Sequence, residues 1–229
     1  MNNNLEKMVR AVSREDVAPD FDRAALIVID MQEYQARDGA ISSRYRTIDS
    51  SIPEYYLKRV SEVAEPNMVK LVELFRRASS TIIYTRYSSV EKDESDLQPF
   101  MREINRQSRE FLGESIIPQI DDPKTSLVTS FQPRDNEIVL QKSRSGSFTN
   151  TDLDTILRRK NIEQLIIIGV LTHACVENTA RIARDLGYEV IVVDDACATL
   201  DRQVHDNAIA AMALLGVDIV QAAELLDAK

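Results

Sequence analysis

The segment QLIIIGVLTHACVENTARIARDLGYEVIVV, residues 164–193, opens on an apolar stretch, turns through a few small and polar residues, and closes on a second apolar stretch. Residues 164–168 and 189–193 are rich in β-branched side chains without polar alternation, the pattern of strands covered on both faces. Between them Val176, Thr179, Ala180, Ala183 and Leu186 recur at helical spacing, and Gly187 supplies a helix stop. The reading is strand, helix, parallel strand, with Cys175 in the first turn of the helix.

The same alternation extends in both directions. Apolar runs at 24–29, 81–85, 137–140 and 217–220 predict four more strands, and residues 66–78, 151–159 and 203–215 predict helices between them. Strands alternating with helices imply βαβ units and a mostly parallel sheet, hence an α/β fold class. No repeat and no Pro/Gly/Ser-rich linker divides the 229 residues, so a single domain over 1–229 is expected. The segments 31–65 and 86–136 are polar and are expected to be insertions or lids at the strand ends.

Composition narrows the function. Thirty-seven acidic against 28 basic residues give a formal charge of −9, which repels a phosphate backbone, so nucleic acid is not an expected partner. No apolar run is long enough to span a bilayer, and MNNNLEKMVR at the start lacks the apolar core of an export signal; a cytoplasmic location is expected, with no membrane partner. Two cysteines, Cys175 and Cys197, are too few for a disulfide framework, and the lack of a Cys-x-x-Cys makes Cys197 a packed free thiol. No Gly-rich phosphate fingerprint is present, so no nucleotide cofactor is expected.

In open parallel sheets ligands bind beyond the carboxyl ends of the strands, which directs attention to the residues at the end of each run. Asp30 closes the first, and alone it could equally cap a turn. Lys142 comes after the third, beside Arg144, where a surface charge is the ordinary reading. Cys175 comes after the fourth, and it fits either a nucleophile or a small core residue. As a nucleophile at a helix start it would have its thiolate stabilised by the dipole and by unpaired backbone N–H groups, lowering its pKa. Those N–H groups could also receive an oxyanion. A thiol nucleophile needs a base. His173 is two positions from Cys175, a spacing that turns the side chains apart, and His205 opens a different helix as a capping or packing residue. A carboxylate at a neighbouring strand end remains, and Asp30 fits.

Three segments, ALIVIDMQ at 25–32, KSRSGSFTNTDLDTIL at 142–157 and IIIGVLTHACVENTARIARDLGYEVIVVDDACAT at 166–199, together resemble the isochorismatase-like cysteine hydrolases, a family that includes ureidoacrylate, N-carbamoylsarcosine, biuret and maleamate amidohydrolases and nicotinamidases. The resemblance covers about residues 22–225. It implies a three-layer α-β-α, Rossmann-like fold on a six-stranded sheet, and a triad of Asp30 as base, Lys142 as cation and Cys175 as nucleophile. It implies, further, a cis peptide between Val170 and Leu171, with the Leu171 and Cys175 N–H groups forming an oxyanion hole, and assembly as a homodimer or homotetramer.

Two departures bear on the substrate. The metal-binding histidines of nicotinamidases have no counterpart, since residues 31–172 contain no histidine, so neither a metal nor another cofactor is expected. Isochorismatases proper cleave a vinyl ether without a thiol, so Cys175 favours C–N hydrolysis of a small amide or ureido/carbamoyl acid. Gln32, Tyr34 and Phe148 are expected to line the pocket, with Arg37, Arg86 or Arg144 available to a substrate carboxylate. The alternatives are a vinyl-ether or ester hydrolase on the same fold and a catalytically silent interaction module.

Overall fold

The computed structural model describes residues 17–227, together with residues 7, 8, 11, 12 and 14; the rest of MNNNLEKMVR lies outside the described residues. Six strands form one sheet: β1 (Ala24–Ile29), β2 (Thr81–Tyr87), β3 (Ile138–Lys142), β4 (Gln164–Val170), β5 (Glu189–Ala198) and β6 (Asp218–Val220). Every pairing is parallel, and the spatial order is β3-β2-β1-β4-β5-β6. All residues of β1 and β4 are buried, which is why their sequences read as unbroken apolar runs.

Between residues 17 and 227 the α-helices are α1 (Glu33–Ala36), α2 (Ala40–Arg46), α3 (Ser51–Arg59), α4 (Glu65–Arg77), α5 (Pro99–Leu112), α6 (Leu153–Arg159), α7 (Glu177–Asp185), α8 (Arg202–Ala213) and α9 (Ala222–Asp227). Crossover connections between the parallel strands place helices on both faces of the sheet, α4 packing with α9 and α7 with α8. Helix α4 buries Met68, Leu71, Val72 and Phe75, the stripe that its spacing predicts. Among the described residues no helix is long and apolar enough to cross a membrane.

Three expectations need correction. The 31–65 segment is not all lid: α3 runs through a π turn (Val60–Ala64) directly into α4, and Tyr56, Val60 and Ala64 are fully buried. The 86–136 segment begins inside β2 and adds Leu97, Ile117, Val128 and Phe131 to the core. Strand β5 extends to Ala198, beyond its apolar run, because its two carboxylates find partners there. Asp194 Oδ1 lies 2.6 Å from His205 Nε2, and Asp195 accepts from Asn67 Nδ2 at 2.9 Å and from the Ala222 N–H at 2.7 Å.

One position makes the close approach of β1 to β4 possible. Gly169 has φ +127, and a Cβ there would sit 2.2 Å from the Ile29 carbonyl oxygen and 2.7 Å from the Ile29 nitrogen. Only glycine meets both demands.

Candidate active site

Strand order reverses between β1 and β4, the switch point at which doubly wound sheets open a crevice. Asp30 ends β1 and the Leu171–Cys175 stretch comes directly after β4, so the two flank that crevice. Lys142 ends β3, two strands away, and its long side chain spans the gap across the end of β2, with Nζ 4.4 Å from the centre of the Tyr87 ring.

Asp30 is completely buried and sits at φ 51, a left-handed conformation that aspartate tolerates better than most residues. Its N–H donates to Thr85 Oγ1 at 3.1 Å, and the same hydroxyl donates to Asp30 Oδ1 at 2.6 Å. The other carboxylate oxygen, Oδ2, lies 2.8 Å from Lys142 Nζ, outside hydrogen-bonding angles, and makes no hydrogen bond. Lys142 Nζ donates instead to the Arg144 and Ser145 carbonyls at 2.9 and 3.0 Å. Thr85 fixes one oxygen of the carboxylate, and Oδ2 retains capacity to accept a proton.

Neither charge of this pair reaches solvent, since both side chains are 0% exposed. Removing one partner would strand the other charge in the core, at a cost of about 3–5 kcal/mol. Burial is the largest single influence and would lower the Lys142 pKa, but the Asp30 carboxylate and the Cys175 sulfur together outweigh it and the pKa is raised.

Cys175 is 4% exposed and lies in a π turn (Thr172–Val176) ahead of α7, rather than in the first turn of the α-helix itself. Burial pushes its thiol up to about 12; the Lys142 ammonium pulls it down and the Asp30 carboxylate pushes it up further. The expected lowering is therefore reversed, because desolvation of the thiolate exceeds the attraction of one ammonium already engaged by a carboxylate. The charges of Asp30 and Lys142 thus pull the thiol in opposite directions. The peptide between Val170 and Leu171 is cis.

The turn is held by a network the sequence did not reveal. Thr172 Oγ1 lies 2.9 Å from His205 Nδ1, while His205 Nε2 faces Asp194 Oδ1 at 2.6 Å and an Arg59 amino group at 2.9 Å. His205 thus packs as a clamp beneath the turn. His173 has Nδ1 2.5 Å from Thr199 Oγ1 and lines the same cavity as Cys175.

A cavity of about 400 Å³ opens over the Cys175 side chain. Gln32, Tyr34 and Phe148 are absent from its lining, contrary to expectation. Gln32 is a structural tie, accepting from the Tyr87 N–H at 2.7 Å and donating to the Thr125 carbonyl at 2.8 Å. Tyr34 donates its hydroxyl to the Tyr87 carbonyl at 2.9 Å, and Phe148 stacks on Tyr188 with ring centres 5.9 Å apart. Arg37 pairs with Glu65 at 2.7 Å, Arg86 donates to the Thr125 carbonyl at 3.1 Å, and Arg144 donates to the Ser143 carbonyl at 3.0 Å; none of them lines the cavity. Arg44 does, and nothing in its polar local sequence marks it out.

The fold is that of an α/β domain with helices on both faces of a parallel sheet and a candidate site at its switch point. The isochorismatase domain model matches residues 24–224, and the chain belongs to the isochorismatase family of hydrolases. The chain is 28% identical over 196 residues to the ureidoacrylate amidohydrolase RutB of Pantoea ananatis, covering 85% of this chain and 77% of that protein. It is 38% identical over 82 residues to the uncharacterized isochorismatase family protein YddQ of Bacillus subtilis; that match spans 36% of this chain and less than half, 46%, of the relative. The crystal structure of a cysteine hydrolase from Pseudomonas syringae pv. phaseolicola superimposes with a TM-score of 0.75 at 24% identity, over 93% of this chain and 94% of that one, which shows the shared fold.

Proposed function

We propose that this protein hydrolyses a C–N bond of an amide or ureido/carbamoyl substrate through a thioester on Cys175. The observation that carries the proposal is the wholly buried Asp30–Lys142 ion pair, whose two charges both act on the Cys175 thiol at the floor of a ligand-sized cavity. The match to an amidohydrolase over 85% of the chain agrees with this reaction class.

In the proposed mechanism Asp30 Oδ2 removes the thiol proton as sulfur attacks the carbonyl carbon, so a free thiolate never accumulates. Lys142 stays protonated and balances the negative charge as it passes from carboxylate to sulfur and substrate oxygen. The Leu171 and Cys175 N–H groups receive that oxygen; losing one such donor costs on the order of a hundredfold in rate. Collapse breaks the C–N bond, the proton on Asp30 moves to the departing nitrogen, and the amine or ammonia leaves. Asp30 then deprotonates a water that attacks the thioester, and the proton returns to sulfur as the acid is released.

The test is ammonia release over biuret, ureidoacrylate, carbamoyl amino acids, maleamate, nicotinamide and simple amides, with intact-mass detection of an acyl adduct. Cys175→Ala is expected to lose turnover and adduct while keeping the wild-type circular dichroism and melting transition. Undiminished hydrolysis by that variant would overturn the mechanism.

A further inference from the structure

The walls of the Cys175 cavity are unlike those a small polar acid calls for. Helix α2 contributes Ile41 and Tyr45, helix α5 contributes Phe100, Met101 and Ile104, and the loop after α5 contributes Ile116 and Ile117. Ile41 and Ile117 are only 6% and 4% exposed, whereas Phe100, at 71%, has its ring open to incoming ligand. The polar part of the lining is Gln35, Arg44, Tyr87, Gln98, Ser145 and His173, and the Arg44 guanidinium donates to the neutral Gln107 amide at 3.2 Å. At about 30 Å³ per water-sized group, 400 Å³ holds on the order of a dozen such groups, whereas the reacting carbamoyl unit accounts for three non-hydrogen atoms.

We infer that the Cys175 cavity selects primary amides bearing an apolar acyl group, aliphatic or aryl, over small polar amide and ureido acids, with α2 and α5 forming the acyl pocket. The chemistry rests on the hydrolase reading above; the selectivity rests on the cavity walls alone. An apolar chain against Ile41, Met101, Ile104 and Ile117 leaves water with no loss of hydrogen bonds, whereas a carboxylate or second ureido nitrogen placed on those side chains would be desolvated beside groups that offer it no partner. The pocket lies between two helices of the segments 31–65 and 86–136, so those segments serve as specificity walls and not only as covers.

The experiment measures ammonia release from acetamide, butanamide, hexanamide and 3-phenylpropanamide alongside maleamate and N-carbamoylglycine. It also measures calorimetric binding of the same compounds to Cys175→Ala, which needs no turnover. Both kcat/KM and affinity are expected to rise about fourfold per added methylene until the pocket is full, equivalent to about 0.8 kcal/mol each. In Ile104→Asn the ratio of hexanamide to acetamide is expected to fall at least tenfold, in turnover and in binding alike. A flat or falling series in calorimetry, or tighter binding of maleamate and N-carbamoylglycine than of hexanamide, overturns the apolar acyl pocket. A rising calorimetric series without any ammonia release upholds the pocket and locates the failure in the hydrolase reading.

Discussion

At Cys175 desolvation of the thiolate exceeds what the Lys142 ammonium offsets, because that ammonium already faces Asp30. The resting state at neutral pH is therefore a thiol, and nucleophilicity must be generated during attack by transfer to Asp30. This separates the site from one built on a preformed thiolate–imidazolium pair, which reacts with electrophiles at a rate independent of pH above neutrality. Alkylation of Cys175 by iodoacetamide, tracked by peptide mass spectrometry from pH 6 to 9, is expected to accelerate close to tenfold per pH unit with no plateau. A plateau below pH 8 would show that the thiolate already exists at rest. The surrounding residues explain why little of this is legible in the sequence. Asp30, Lys142 and Cys175 can be singled out because strand ends matter in parallel sheets, but the sign of the thiol shift depends on how deeply the sulfur is covered, which spacing does not reveal. Arg44, Thr85 and Thr172 act through partners 63, 55 and 33 positions away, beyond the reach of any local pattern.

Among the elements, β1 and β4 meet backbone to backbone, with no room for a side chain at Gly169. Gly169→Ala is expected to destabilise the fold by at least about 3 kcal/mol, through both the left-handed φ and the clash with the Ile29 backbone. Gly187, which closes α7 at φ +91 with nothing within 4 Å of an added Cβ, provides the control. Gly187→Ala is expected to cost only about 1–2 kcal/mol. Urea midpoints of the two variants decide between these; equal losses would mean that conformation, and not the strand contact, sets the requirement. The alternation of strands and helices is legible because β1 and β4 are apolar throughout and α4 carries a regular stripe. The continuous α3–α4 rod is not, since Pro53 and Pro66 and a run of charged residues mask the buried face of Tyr56, Val60 and Ala64. The extension of β5 is hidden likewise, because two adjacent aspartates look like a turn until Asn67, His205 and the Ala222 N–H are brought to them.

Across the whole molecule, two buried thiols and a buried lysine tie stability to alkaline pH. Burial raises Cys175 to about 12 and raises Cys197 as well, while the Lys142 ammonium is held by Asp30. Above about pH 9 the unfolded chain loses thiol protons that the native state keeps, so the native state binds more protons and stability falls as pH rises. Each thiol contributes about 1.4 kcal/mol per pH unit through its window. Lys142 adds to the same slope above about pH 10.5, its raised native pKa contributing stability below that point and losing it as pH climbs. Denaturant unfolding from pH 7.5 to 10.5 is expected to show the decline, and Cys197→Ala is expected to make it shallower by about one proton's worth. An unchanged slope in that variant would mean that Cys197 ionises as readily in the native protein as in the unfolded one. The seal around Lys142 has one more use. An amine-acylating reagent should label the surface lysines of the folded protein and spare Lys142, so the appearance of label at that position would serve as an intrinsic gauge of opening at the β2–β3 edge, readable in a crude sample without any knowledge of the substrate.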